Sequence, residues 1–172
     1  MNNSYLVVKD YKMDIRFHIF LTGTETGGNV GSICRLMGNY EITSLSLINP
    51  DYEDDKQAMW LAHTSTGLKH YKARRIYKSI EEAVKDREIN TTIGFTRRSG
   101  KGREISHQYR EYFQTFFDNI VKEGFDLKFE NGYDKDYNEI NKENEELVSN
   151  NCMNIALVFG RESKGLLDDE IE

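Results

Sequence analysis

Two strings in this chain gather residue types suited to gripping anions and polar ligands. The first is Gly23-Thr24-Glu25-Thr26-Gly27-Gly28-Asn29, with Arg35 six residues further on; the second is Gly160-Arg161-Glu162-Ser163-Lys164-Gly165. Glycine-rich turns between a strand and a helix bare main-chain N–H groups, the donors that hold phosphates and similar groups. Neither common nucleotide fingerprint fits, however. Gly23 and Gly28 have P-loop spacing, but Asn29-Val30 stand where lysine followed by serine or threonine belongs, and Gly23-Thr24-Glu25 does not begin a Gly-x-Gly-x-x-Gly motif. Taken alone, these glycines serve helix capping as readily as ligand binding.

On a helix that starts near Asn29, six residues turn through about 600°, which leaves Arg35 about 120° from Asn29 measured backwards. A long guanidinium there can reach back over the loop towards a phosphate, although the commoner use of such an arginine is structural and exposed. Glu162 has two readings as well: a carboxylate of a site, or a helix-start residue that complements the positive end of the dipole. The basic residues Arg97, Arg98, Lys101 and Arg103, and the cluster Lys69, Lys72, Arg74, Arg75 and Lys78, are either a nucleic-acid surface or two solvated faces.

The elements that would position these groups follow from periodicity. Residues 15–21 form an apolar, β-rich strand; the glycine loop follows it, and then a helix capped by Asn29 with Val30, Ile33, Cys34 and Met37 on one face. A second strand, 45–50, closes at Pro50. Residues 54–68 are expected as one helix with Ala58, Leu61, Ala62 and Leu68 inward, followed by a short strand over 73–77 and a helix whose Ser79 cap has Glu82 three residues on. A fourth strand, 91–96, runs into the basic loop; a helix with an aromatic face spans 108–122, and the apolar run from Ile155 is the last strand. Strands alternating with helices predict an α/β fold, a mostly parallel sheet with helices on both faces.

At 172 residues the chain is read as one domain, 14–172, after a leader of residues 1–13 and with an asparagine-, lysine- and glutamate-rich insertion near 125–151, part hairpin and part disordered. No apolar stretch approaches the ~20 residues that span a bilayer, and the chain start lacks a basic region leading into a long apolar run, so the expected setting is cytoplasmic. Cys34 and Cys152 stand apart with no Cys-x-x-Cys or close histidine, which predicts two buried thiols and no metal site. His18, His63, His70 and His107 are read as core or surface residues. The net charge of −6 argues against a uniformly basic coat, and nucleic-acid binding would need a local patch.

Joint order carries more than any single motif. Gly28-Asn29-Val30-Gly31-Ser32-Ile33-Cys34-Arg35-Leu36-Met37, then Leu47-Ile48-Asn49-Pro50, Gly94-Phe95-Thr96-Arg97-Arg98, and Ala156-Leu157-Val158-Phe159-Gly160-Arg161-Glu162-Ser163-Lys164-Gly165-Leu166 together resemble the SPOUT superfamily of RNA ribose methyltransferases, closest to the TrmJ-like tRNA 2′-O-methyltransferases of the TrmH family. The resemblance implies a trefoil-knot α/β domain, S-adenosylmethionine as cofactor, a homodimer, and 2′-O-methylation of a tRNA ribose, with the anticodon loop favoured and ribosomal RNA open as an alternative. It also implies roles. Arg35 would activate the ribose hydroxyl and touch the neighbouring phosphate, Asn29 would organise that arginine, and Phe95, Thr96, Arg97, Gly160 and Glu162 would line the cofactor pocket. Arg35, Arg97, Arg98, Lys101 and Arg103 would face RNA.

Two departures from the family pattern stand out. Phe95 occupies a position that usually holds a small or hydroxyl residue. The third family motif, a Ser-Leu-Asn-like segment, does not occur after Leu166, which leads to the expectation of a truncated domain with an incomplete knot. The alternative function is accordingly a non-catalytic RNA-binding or dimerisation module that keeps the scaffold without the pocket.

Overall fold

Among the described residues six strands, all parallel where they pair, form a single sheet, and five of them bring their C-terminal ends to one edge. The computed structural model describes residues 11–52, 54–96, 109–122, 125–129 and 152–170. In chain order the strands are β1 (Tyr11–Thr22), β2 (Ser44–Ile48), β3 (Arg75–Tyr77), β4 (Thr91–Phe95), β5 (Phe125–Phe129) and β6 (Cys152–Phe159). The helices are α1 (Gly27–Asn39), α2 (Asp55–Ala62), α3 (Ser65–Ala73), α4 (Ile80–Asp86) and α5 (Tyr109–Lys122), and a 3-10 turn covers Asp168–Glu170. The sheet order is β3-β2-β1-β6-β4, with β5 also paired to β1. The order therefore reverses between β1 and β6, and in such sheets ligands bind in the crevice outside the strand ends at that reversal.

Side-chain alternation along β1 explains the two layers. Ile19 and Leu21 pack with Val30, Cys34 and Met37 of α1, Ala58 and Ala62 of α2, and Tyr71 of α3. Phe20 faces the other way, into a cluster with Ile48, Tyr77, Ala83 of α4, Ala156, Val158 and Leu166. All five residues of β2 are buried, as expected of a strand covered on both faces. The parallel α/β sheet read from the sequence is the architecture observed.

Several local expectations need correction. Asn29 is not the cap of α1: Thr26 is the N-cap residue, without a side-chain cap bond of its own, and Asn29 lies inside the first turn. The helix expected over 54–68 is two helices. His63 turns into left-handed backbone at φ 43, Thr64 then caps α3 by accepting the Gly67 amide at 2.9 Å, and a Cβ on Gly67 would lie 2.4 Å from the Ala62 carbonyl oxygen. Strand β1 begins at Tyr11, inside the expected leader, because Tyr11–Ile15 pairs with β5. Strand β5 itself occupies the start of the expected insertion; residues 130–151 lie outside the described ones. Cys34 is fully buried, but Cys152 is only half-buried.

The capping signal in α4 is realised. Ser79 Oγ accepts the Glu82 amide at 3.3 Å, and the Glu82 carboxylate accepts the Lys78 amide at 2.8 Å. A close approach joins α1 to α2, where a Cβ on Gly31 would lie 2.1 Å from the Ala58 carbonyl oxygen. These glycines let two helices meet at backbone distance, which fixes the direction of α1 as it leaves the end of β1.

Candidate functional site

Gly23 follows strand β1 and Gly160 follows strand β6, on either side of the sheet reversal. Gly23 has φ +54, and a Cβ there would fall 2.4 Å from Arg161 Nε, so the Arg161 side chain lies directly across the end of β1. Its guanidinium is held from the far side by Glu170, with Nη1 donating to both carboxylate oxygens at 2.9 Å, while the Leu167 amide donates to the same carboxylate at 2.7 Å. Both partners are largely shielded, at 17% and 14% side-chain exposure. The loop closes on itself as Arg161 and Gly165 exchange backbone hydrogen bonds of 3.0 and 2.8 Å, with Gly165 at φ +73.

Glu162, the next residue, points towards the start of α1. Its carboxylate accepts the amides of Glu25 and Thr26 at 2.9 and 3.3 Å, the Thr26 hydroxyl at 3.0 Å and Asn29 Nδ2 at 2.7 Å. It thus supplies from another strand the cap that Thr26 does not give its own helix, at the end where the helix dipole favours negative charge. Partial burial by itself raises the carboxyl pKa, but the hydrogen bonds from Glu25, Asn29, its own amide and Thr26 outweigh it and hold the group below its ordinary value. Ser163 adds a further tie, its hydroxyl donating to Glu25 Oε1 at 2.5 Å.

The ends of β4 and β6 form a second wall. Phe95 stacks on Phe159 with ring centroids 4.7 Å apart and planes 9° from parallel, which accounts for an aromatic residue at that position. Thr96 Oγ1 lies beside Gly165, and a Cβ on Gly160 would sit 2.0 Å from the Gly165 carbonyl carbon. No side chain can occupy that space. Bare peptide groups at Gly160 and Thr96 beside an aromatic pair suit a flat heterocycle held by main-chain donors and acceptors.

Of the residues singled out in the sequence, the structure joins Asn29 to Glu162 and gathers Phe95, Thr96 and Gly160 at neighbouring strand ends. Arg35 is exposed on α1 and makes no hydrogen bond or ion pair with the described residues. Arg97, Arg98, Lys101 and Arg103 lie outside the described residues. The other basic cluster is partly neutralised, since Arg74 pairs with Asp55 at 3.4 Å and Arg75 with Asp86 at 2.7 Å. Sequence reasoning missed Glu170, and it gave no loop-fixing part to Glu25, Thr26 and Ser163, although these lie within the two glycine-bearing strings. Among the described residues no cluster of histidine, cysteine and carboxylate residues could hold a metal ion, and no helix is long and apolar enough to cross a membrane.

A parallel sheet with glycine-bearing strand ends at its reversal defines a ligand-binding α/β domain. The profile of the SpoU rRNA Methylase family matches residues 16–172, and the chain belongs to that family, which is the SPOUT class of RNA methylases. No curated protein matches in sequence. Solved structures with the same fold include a probable methylase family protein of Haemophilus influenzae Rd KW20, 23% identical, with TM-score 0.54 over 90% of this chain and 51% of that one. TrmJ of Z. mobilis ZM4 is 20% identical, with TM-score 0.57 over 90% of this chain and 53% of that one. A probable methyltransferase of Bordetella pertussis Tohama I is 19% identical, with TM-score 0.63 over 91% and 75%. The chain spans about half the length of the first two proteins.

Proposed function

We propose that this chain forms the methyl-transfer domain of an S-adenosylmethionine-dependent RNA 2′-O-methyltransferase acting on tRNA, with a ribose of the anticodon loop as the favoured target. The observation that carries the reading is the bond between Asn29 and Glu162, which locks the two family-matched strings into one site at the sheet reversal. Membership of the SpoU family supports the reaction class.

The residues at the ends of β4 and β6 fit the cofactor: the peptide groups of Thr96 and Gly160 and the Phe95–Phe159 stack would hold its adenosyl part. When bound, the sulfonium supplies an electrophilic methyl group. A ribose hydroxyl is a weak nucleophile, so the protein must align it and ease the loss of its proton. The contribution of the Arg35 guanidinium is to stabilise charge developing on the hydroxyl oxygen while fixing the adjacent phosphate. Glu162 and Asn29 hold the start of α1, and that rigid helix carries Arg35.

A homodimer belongs to the same proposal. Leu36 and Tyr40 are 49% and 69% exposed on α1 beside Arg35, an apolar strip that a second copy would cover. Incubation with methyl-labelled cofactor and tRNA tests the reaction. Arg35→Ala should lower methyl transfer by about 10²-fold or more while leaving the fold intact. Equal transfer by variant and wild type would refute the assignment, and salt-dependent tRNA binding without any transfer would favour a non-catalytic RNA-binding module.

A further inference from the structure

Beside the Arg161 loop, on its β2 side, a cleft of about 350 Å³ opens at the ends of β1, β2 and β6. It is lined by Gly23 and Glu25 from the loop after β1, Asn49, Pro50 and Asp51 from the loop after β2, and Arg161 and Lys164 from the loop after β6. Phe95, Thr96 and Gly160 are not among its lining residues, so it is distinguished from the space assigned to the cofactor.

The polar side chains around this cleft fall into two groups. Glu25 is engaged by Ser163, and Arg161 by Glu170. Asn49, Asp51 and Lys164 have side chains that bond to nothing among the described residues, although their backbone is firmly placed. The Asn49 amide donates to the Tyr77 carbonyl at 2.8 Å and the Asp51 amide to the Thr24 carbonyl at 2.8 Å, and Asn49 is held at φ 44, a conformation that costs energy outside glycine. The loop is thus pinned with its side chains uncommitted. Exposure alone would leave such groups to water, but here they line one concave space.

The charge distribution within the cleft is directional. Among the described residues Lys164 is the lining cation without an ion pair, since Arg161 is paired with Glu170, and the Glu25 carboxylate lines the same cleft, held by the Ser163 hydroxyl. From the loop after β2, the Asp51 carboxylate and the Asn49 amide oxygen offer acceptors, and Pro50, between them in sequence, adds an apolar surface. A ligand that complements both ends carries an anion at one end and N–H donors at the other, on a flat body. A nucleotide has that layout, and the volume is at the lower end of the range for small-ligand sites.

We propose that this cleft is a nucleotide subsite for the RNA substrate, with a backbone phosphate against Lys164 and a base bearing an exocyclic amino group against Asp51. A carboxylate accepts from the N4 amino group of cytosine, whereas uracil presents a carbonyl oxygen at the same place and is repelled. The proposal rests on the reading of the protein as an RNA methyltransferase, but the subsite can be tested without turnover.

Amide chemical shifts of the whole chain, titrated separately with cytidine 5′-monophosphate, uridine 5′-monophosphate and inorganic phosphate, provide that test. Cytidine monophosphate should move the resonances of Gly23, Asn49, Asp51 and Lys164 and bind at least about fivefold more tightly than the uridine nucleotide. Lys164→Ala should weaken both nucleotides alike, whereas Asp51→Asn should bring their affinities close to equality, with unchanged spectra elsewhere showing that each variant is folded. Shifts confined to the ends of β4 and β6, no shifts at all, or equal binding of both nucleotides and bare phosphate would each overturn the subsite. Loss of methyl transfer with the cytidine response intact would instead count against the enzymatic reading alone.

Discussion

Asn29 and Glu162, 133 residues apart, are joined by a hydrogen bond of 2.7 Å. That bond ties the first turn of α1 to the loop after β6, so two segments that the chain separates become one rigid unit at the sheet reversal. The same carboxylate receives Glu25 and Thr26, which makes it the N-terminal cap of α1 supplied from a distant strand. Arg35, further along that helix, takes its orientation from the tie without touching it.

Removing the carboxylate should therefore loosen the start of α1 more than the sheet. Glu162→Ala is expected to cost about 1–2 kcal/mol, the range of a lost helix cap, kept at that level because the group is partly open to solvent. Its lowered pKa gives a sign for acid. The contribution is fully present above the ordinary value of 4.5 and is lost as pH falls through the lower folded-state value. Urea denaturation of wild type and variant between pH 7 and pH 3 checks both; a gap that stays constant down to pH 3 contradicts the prediction.

Arg161 and Glu170 should behave as a coupled pair. Glu170→Ala strands a shielded guanidinium and also removes the acceptor of the Leu167 amide, so a loss of about 1–3 kcal/mol is expected, below the value for a fully buried pair because each partner retains some solvent contact. In a double-mutant cycle with Arg161→Met, the double variant should lose less than the sum of the singles. Additive losses would show that the two side chains act independently.

Periodicity made most of the fold legible, and the reasons for its failures are local. Val30, Cys34 and Met37 recur at helical spacing and are buried as that spacing demands. The break at His63 was hidden because Ala58, Ala62 and Leu68 keep an apolar side across it, while the turn depends on a left-handed residue and on Gly67 meeting a carbonyl. Asn29 and Glu162 were each singled out in the sequence, but the bond between them was not, because a capping side chain from another strand leaves no trace in local sequence. Glu170 is hidden for a related reason: in the acidic run Asp168-Asp169-Glu170 nothing distinguishes the one carboxylate that turns inward to an arginine.

His70 should add a second pH dependence in a higher range. Burial is the main cause lowering its imidazole pKa below 6.5, Lys69 adds to that, and a hydrogen bond with the Thr43 backbone works against both. The folded chain thus keeps the ring neutral where the unfolded chain takes up a proton. Stability from this residue is complete above pH 6.5 and declines as pH falls from there towards the folded-state value, with a slope of at most about 1.4 kcal/mol per pH unit. His70→Leu should lower stability at pH 7 yet flatten the change between pH 7 and pH 5. A variant with the wild-type slope would assign that pH dependence to other groups.

Two glycine substitutions separate the scaffold from the site. Gly31→Ala forces a methyl group to within 2.1 Å of the Ala58 carbonyl oxygen, and because that atom is backbone, α1 and α2 must part; a loss of about 1–3 kcal/mol follows. Gly160→Ala meets the Gly165 carbonyl carbon at 2.0 Å, again backbone, but the clash lies within the single loop after β6 and not between two packed helices. Its cost should fall less on global stability and more on the wall beside Phe95. Calorimetry with S-adenosylmethionine on the full chain distinguishes the two: Gly160→Ala should weaken cofactor binding at least about tenfold with a small change in melting temperature, while Gly31→Ala should lower the melting temperature first. Unaltered cofactor affinity in Gly160→Ala would place the cofactor elsewhere than at the ends of β4 and β6.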